Sequence, residues 1–184
     1  MSKNGLILLT PTTVDTTGGS STATISANGS VEFSACISLR LNSVFSADYD
    51  NYMVVMRSLG TTNGGPSIYA RLSSSGSDST SNYTWQFLFG NGGSVGVGRS
   101  STEGYFRLGM TDSNLRSGLI AWFYGPYLSQ PTAARGISVS GYSSASFIDY
   151  ANTHSVSSQY DGVNISVSSG GTISGRVAVY GMRK

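Results

Sequence analysis

Period-two alternation runs through most of this chain. In "VNISVSS", Val163, Ile165 and Val167 fall on one side of an extended segment, with Asn164, Ser166 and Ser168 on the other. "YTWQFLF" groups Tyr83, Trp85, Phe87 and Phe89 opposite Thr84 and Gln86, and "TISGRVAVY" brings Ile173, Val177 and Val179 together. Such alternation marks half-buried strands. Further strands are expected around Val31–Leu41, Tyr52–Leu59, Ser67–Leu72, Tyr105–Met110, Gly118–Tyr124 and Gly136–Tyr142. Between them stand "TTNGGP", "GNGG", "QPTAARG", "QYDG" and "SSGG", whose Gly, Asn and Asp supply turn geometries that β-branched residues resist. No window carries a helical stripe. About eight to ten short strands with turn signals between them predict an all-β fold: an antiparallel two-sheet β-sandwich, jelly-roll-like.

The beginning of the chain breaks this pattern. Residues 1–13 contain the apolar run Leu6, Ile7, Leu8 and Leu9, and a Gly-, Ser- and Thr-rich stretch follows. Two readings fit: a first strand of the sandwich, or an N-terminal assembly arm whose apolar face lies on a partner. Residues 14–184 are expected to form a single sandwich domain.

Composition narrows the function classes. Only 11% of the 184 residues are charged, against about 25% in ordinary soluble domains. Hydroxyls, amides and 24 glycines take their place. The net charge is +2, and the basic residues are scattered from Lys3 to Lys184, so the clustered cation face that nucleic acid requires is not expected. Cys36 is the single cysteine, which excludes an intrachain disulfide and a cysteine-based zinc site. The apolar run in "MSKNGLILLTP" is shorter than a secretory core of about 7–15 residues or a membrane span of about 20. Synthesis in a cytosol without an export signal, and no membrane partner, are therefore expected.

Catalytic constellations are thin. The single histidine, His154, stands near Asp149 and several serines, but serine is abundant throughout and no glycine-framed nucleophile elbow accompanies it. Among the acids only Asp48 and Asp50 are close together. With Asn51 they fall short of the six to eight oxygen ligands that calcium takes. No catalytic residue, metal or cofactor is expected. "AWFYGPYLSQP" offers Trp122, Tyr124 and Tyr127 as a stacking platform for a glycan or partner surface. The alternative is that Trp122 and Tyr124 face the core while Tyr127 packs over the loop.

Several stretches together carry a resemblance: "ISANGSVEF", "VFSADYDNYMVVMRS", "FYGPYLSQPTAARG" and the ending "GTISGRVAVYGMRK". From about Leu6 to Gly181 the chain resembles small virion structural proteins of tailed bacteriophages, cyanophages in particular. The markers are Phe45 followed by Tyr49, Asp50, Asn51 and Tyr52 leading into a strand, and a closing strand that ends in Val179, Tyr180 and Gly181. The resemblance implies a noncatalytic part of the particle exterior, made in the host cytoplasm. Such a protein decorates the head as a knob on the major capsid protein, or belongs to the tail proteins and fibres, where a host glycan is the alternative partner. It also implies a homo-oligomer, with a trimer expected, and a structural loop-to-strand corner that Tyr49 and Tyr52 anchor and in which Asp50 and Asn51 hydrogen-bond the turning backbone.

Overall fold

The computed structural model describes residues 5–60, 65–113, 116–141, 145–168 and 170–183. The ends of the expected arm (residues 1–4) and of the Gly136–Tyr142 strand lie outside them. Sixteen strands are present among the described residues. They are β1 (Leu6–Leu9), β2 (Thr13–Thr17), β3 (Thr22–Ile25), β4 (Val31–Cys36), β5 (Ser38–Asn42), β6 (Tyr49–Gly60), β7 (Ser67–Ser74) and β8 (Ser77–Asp78). The second half contributes β9 (Tyr83–Asn91), β10 (Ser94–Glu103), β11 (Phe106–Met110), β12 (Ser117–Tyr124), β13 (Thr132–Ser140), β14 (Ser146–His154), β15 (Gly162–Val167) and β16 (Ile173–Arg183). This exceeds the eight to ten expected, because short and polar strands carry little hydrophobic signal.

Two antiparallel sheets form the β-sandwich. The larger has the order β10-β9-β14-β13-β12-β6-β16-β4-β3, and the smaller β11-β7-β15-β5-β2. The segment expected as one strand over Val31–Leu41 is two. β4 belongs to the large sheet and β5 to the small one, and the chain crosses at Ala35–Ile37, where Ala35 takes φ 53°. Crossing sheets lets one apolar run serve both inner faces.

Between the sheets pack Leu39, Leu41, Val54, Met56, Leu72, Phe106, Phe123, Val163 and Ile165, all buried. The closing strand β16 sits inside the large sheet, along the full length of β6. Its other edge is shared: β4 pairs its first half, and β1 pairs its second from Leu9↔Val179 to Leu6↔Met182. Leu6–Leu9 is thus a strand of this chain's own sandwich, with Leu9 packed against the core. Removing residues 1–9 strips that edge from β16. The expected result is a loss of about 2–4 kcal/mol in urea denaturation, where a free arm would leave stability unchanged.

The small sheet is narrower than the large one, and its free edge is β11. There the Arg107 N–H donates to Asn152 Oδ1 at 2.9 Å, and Asn152 Nδ2 donates back to the Arg107 carbonyl at 3.1 Å. One inward amide of β14 therefore satisfies both backbone groups of an edge residue. Beyond β11 the large sheet overhangs. The inward rings of Trp85 and Phe87 on β9 lie there under the Arg107 guanidinium, at 5.3 and 4.8 Å.

Residues 45–52 form a buried corner. Phe45 and Tyr52 are 1% and 0% exposed, with ring centroids 4.6 Å apart. The Ser46 N–H donates to Tyr52 Oη at 2.8 Å, and the Tyr52 hydroxyl donates to the Ser46 carbonyl at 2.7 Å. Burial raises the Tyr52 phenol above its ordinary pKa. Ser46 Oγ and Asp48 exchange further local bonds, and the Asp50 carbonyl accepts from Gly125 N–H at 2.8 Å. The side chains of Tyr52 and Ser46 bond the turning backbone here, and Asp48 Oδ2 accepts from Ser46 Oγ. Asn51 pairs in register with Tyr124 and Met182. Tyr49 lays its ring over Gly181, where a Cβ would collide with it. The two resemblance markers are therefore in contact across β6 and β16.

Candidate interaction surface

Alternation along the central strands of the large sheet sends apolar residues outward as well as inward. On β12, Leu119, Ala121 and Phe123 are buried while Ile120, Trp122 and Tyr124 face out. On β13 the inward positions are Thr132, Ala134, Gly136, Ser138 and Ser140, and the outward ones include Ile137 and Val139. This inversion follows from close approach of the two sheets. A Cβ on Gly109 of β11 would meet the Ser138 Cβ at 2.9 Å, and one on Gly136 would meet the Leu108 carbonyl at 3.3 Å. Only small residues fit beneath, so the larger apolar side chains of β13 occupy the outer face.

The result is a broad apolar surface. Ten large hydrophobic side chains are exposed among the described residues, and nine of them project from the outer face of the large sheet, Ile37 being the exception. The most prominent are Val97, Val95 and Val139, at 76, 75 and 57% exposure. Side by side with the ridge of Val95, Val97 and Phe147 lies a groove of about 350 Å³, floored by Gly118 and walled by Val55, Ile120, Ile137 and Val139. Near its middle, Arg135 and Asp149 form an ion pair at 2.7 Å. Both are exposed, so the pair contributes little to stability, but it cancels the charge at the centre of the face and leaves Arg57 on β6 and Arg99 on β10 as outward cations at its margins.

The sequence-level candidates sort as follows. Trp122 and Tyr124 share this outer face, where Trp122 is half-buried and Tyr124 exposed, so the core-facing alternative is corrected: Phe123 takes the inward position. Tyr127 lies apart from them, packed partly against the core. Leu6 and Leu8 share the outer side with Met182 and Tyr180, while Ile7 and Leu9 alternate inward. The outer face as a whole escaped the sequence reading. Its signal was the pairing of small inward residues with Ile137 and Val139 in "GISVS".

His154 and Asp149 do not converge. His154 ends β14 on the inner side, fully buried, while Asp149 faces outward to Arg135. The His154 ring stacks on Tyr83 at 4.1 Å, and its Nε2 lies 2.7 Å from Tyr160 Oη. Nδ1 lies 3.2 Å from the Asn82 carbonyl, which can only accept, so Nδ1 carries the proton and Nε2 accepts from Tyr160. Burial lowers the His154 pKa. Cys36 is buried, and burial raises its thiol pKa, which disfavours the nucleophilic thiolate. Among the described residues no three His, Cys, Asp or Glu side chains gather as a metal site, and no helix is long and apolar enough to cross a membrane.

No known protein family and no curated protein matches the chain. Distant solved structures include SCLam, a non-specific endo-β-1,3(4)-glucanase of family GH16, at TM-score 0.28 and 12% identity over 98% of this chain and 73% of that one. The laminarinase catalytic domain of Thermotoga petrophila RKU-1 aligns at TM-score 0.26 and 10% identity, covering 99 and 79%. That of Thermotoga maritima MSB8 aligns at 0.24 and 10%, covering 100 and 80%. Likeness this remote bears on neither activity nor ligand.

Proposed function

We propose that this chain is a noncatalytic virion structural protein of a bacteriophage, a head decoration or knob protein on the particle exterior that docks on the major capsid protein as a homo-oligomer. The observation that carries this reading is the division of its surface. One apolar sheet face spans the molecule, while the residues equipped for chemistry are used as internal props or stand apart. A face of that breadth is characteristic of a protein that works by being covered. The residues of the phage-like resemblance support the same reading: Tyr52 and Phe45 brace a corner, and Val179–Gly181 lie between β6 and β1 within the large sheet.

A second reading is favoured by the outward placement of Trp122 and Tyr124: a tail- or fibre-associated module that stacks a host glycan on that face. Copy number separates the two. Quantitative mass spectrometry of purified particles is expected to find this chain at about one copy per major capsid subunit, or a simple fraction of it. A handful of copies would favour the tail reading and make glycan-array binding the next measurement. Absence from the particle would overturn both.

A further inference from the structure

We propose that the outer face of the large sheet is covered by the same face of a second copy of this chain, packed about a twofold axis. The inference deepens the structural-protein reading by naming the partner of that face, and it rests on that reading for its setting on the particle.

Three observations select a second copy. The first is area. From β10 to β6 the face crosses six strands, which at about 4.8 Å spacing and about 3.3 Å per residue gives roughly 29 by 27 Å. That is close to the ~800 Å² per partner of a standard stable interface. The second is charge. The Arg135–Asp149 pair is satisfied within the chain, and the other outward cations, Arg57 on β6 and Arg99 on β10, stand on the two marginal strands, so the centre of the face offers no net field to select a charged partner. The third is shape. The ridge of Val95, Val97 and Phe147 and the groove over Gly118 lie on opposite sides of the β13–β14 boundary.

An axis that runs parallel to the strands at that boundary, midway between the two facing sheets, sets β14 over β13, β9 over β12 and β10 over β6. Each ridge then enters the other copy's groove. A head-to-tail contact would need a second, different apolar patch. Among the described residues Ile37 is the one large exposed hydrophobic side chain away from this face, so the patch must complement itself. Two sheet faces packed in this way stand about 10 Å apart with their side chains interdigitated.

The test is the mass of the purified full chain by light scattering after size exclusion, across micromolar concentrations. The expected mass is that of a dimer. Val97→Lys on the ridge and Val139→Lys in the groove wall each place an ammonium in the apolar contact, and each is expected to weaken association about a hundredfold or more. Both side chains are mostly exposed in the single chain, so circular dichroism and melting temperature should match the unsubstituted protein. Ile37→Lys, away from the face, should leave the dimer intact.

A monomer at tens of micromolar, a trimer, or a dimer that survives both face substitutions would overturn the proposal. Dissociation by Ile37→Lys alone would place the contact elsewhere and overturn it too. Failure here is separable from failure of the virion reading. A monomeric chain abundant in particles would sink the pairing and leave that reading standing, and a twofold dimer absent from particles would do the reverse.

Discussion

Tyr52→Phe should destabilise the protein by about 2 kcal/mol, and Tyr52→Ala by about 4 kcal/mol, in equilibrium denaturation. The phenylalanine variant keeps the ring between Phe45 and Tyr49 and removes one oxygen. That oxygen accepts from the Ser46 N–H and donates to the Ser46 carbonyl, at 2.8 and 2.7 Å, so its loss takes the partner from the Ser46 N–H and leaves the carbonyl only a long 3.5 Å bond from the Tyr49 N–H. The alanine variant adds a cavity where a fully buried ring stood. A phenylalanine variant as stable as the parent would show that the hydroxyl is replaced by water and that the ring alone holds the corner. Because β6 runs beside both β12 and β16, a loosened corner should also raise amide exchange at the start of β6 before it affects the far end.

That corner was visible in the sequence as a cluster of tyrosines and acids ahead of an apolar run. Tyr49 and Tyr52 were expected to anchor it; that the Tyr52 hydroxyl reaches the Ser46 backbone was not legible. Asp50 and Asn51 look like turn residues, yet the side chain that closes the turn belongs to Tyr52, inside the strand, because only a long buried phenol reaches back six residues. Alternation located the inward sets of β15 and β16 correctly, since Val163, Ile165, Val177 and Val179 are all buried. It also grouped Trp85, Phe87 and Phe89 on one face. It did not reveal that these three are only half-buried, because their exposure depends on how far the small sheet extends beneath them.

β13 and β14 were harder for a related reason. Strand alternation reports two faces, and the more apolar face is assigned inward by default. In β13 the inner face carries Ala, Gly and Ser because β11 approaches closely, so that assignment reverses. In β14 the inner face carries Asn152 and His154, which look polar in sequence and are satisfied only through groups on β11 and in the 79–82 and 160 segments. Long-range pairing of this kind leaves no local trace. The wide apolar outer face went unrecognised as a consequence.

His154 should therefore behave as a structural residue whose removal is costly and whose protonation weakens the fold. His154→Ala is expected to lose about 3 kcal/mol, by deleting a fully buried ring and leaving the Tyr160 hydroxyl and the Asn82 carbonyl short of partners. Acid should reproduce part of this effect. Burial holds the folded-state pKa below the ordinary 6.5, and the proton would have to be placed on Nε2, which already accepts from Tyr160. The unfolded chain consequently binds the proton first as pH falls. The stabilising contribution of the neutral ring is complete above about pH 6.5, declines as pH drops toward the lower folded-state value, and flattens below it. Tyr83, stacked on the ring, is pushed up by burial to about 12 and stays protonated across that window, so the slope belongs to the imidazole. Denaturation midpoints between pH 4.5 and 7.5 should show the slope in the parent and lose it in His154→Gln. An equal slope in both proteins would mean that the carboxylates alone set the acid response and that the folded chain keeps His154 neutral to no lower pH than the unfolded one does.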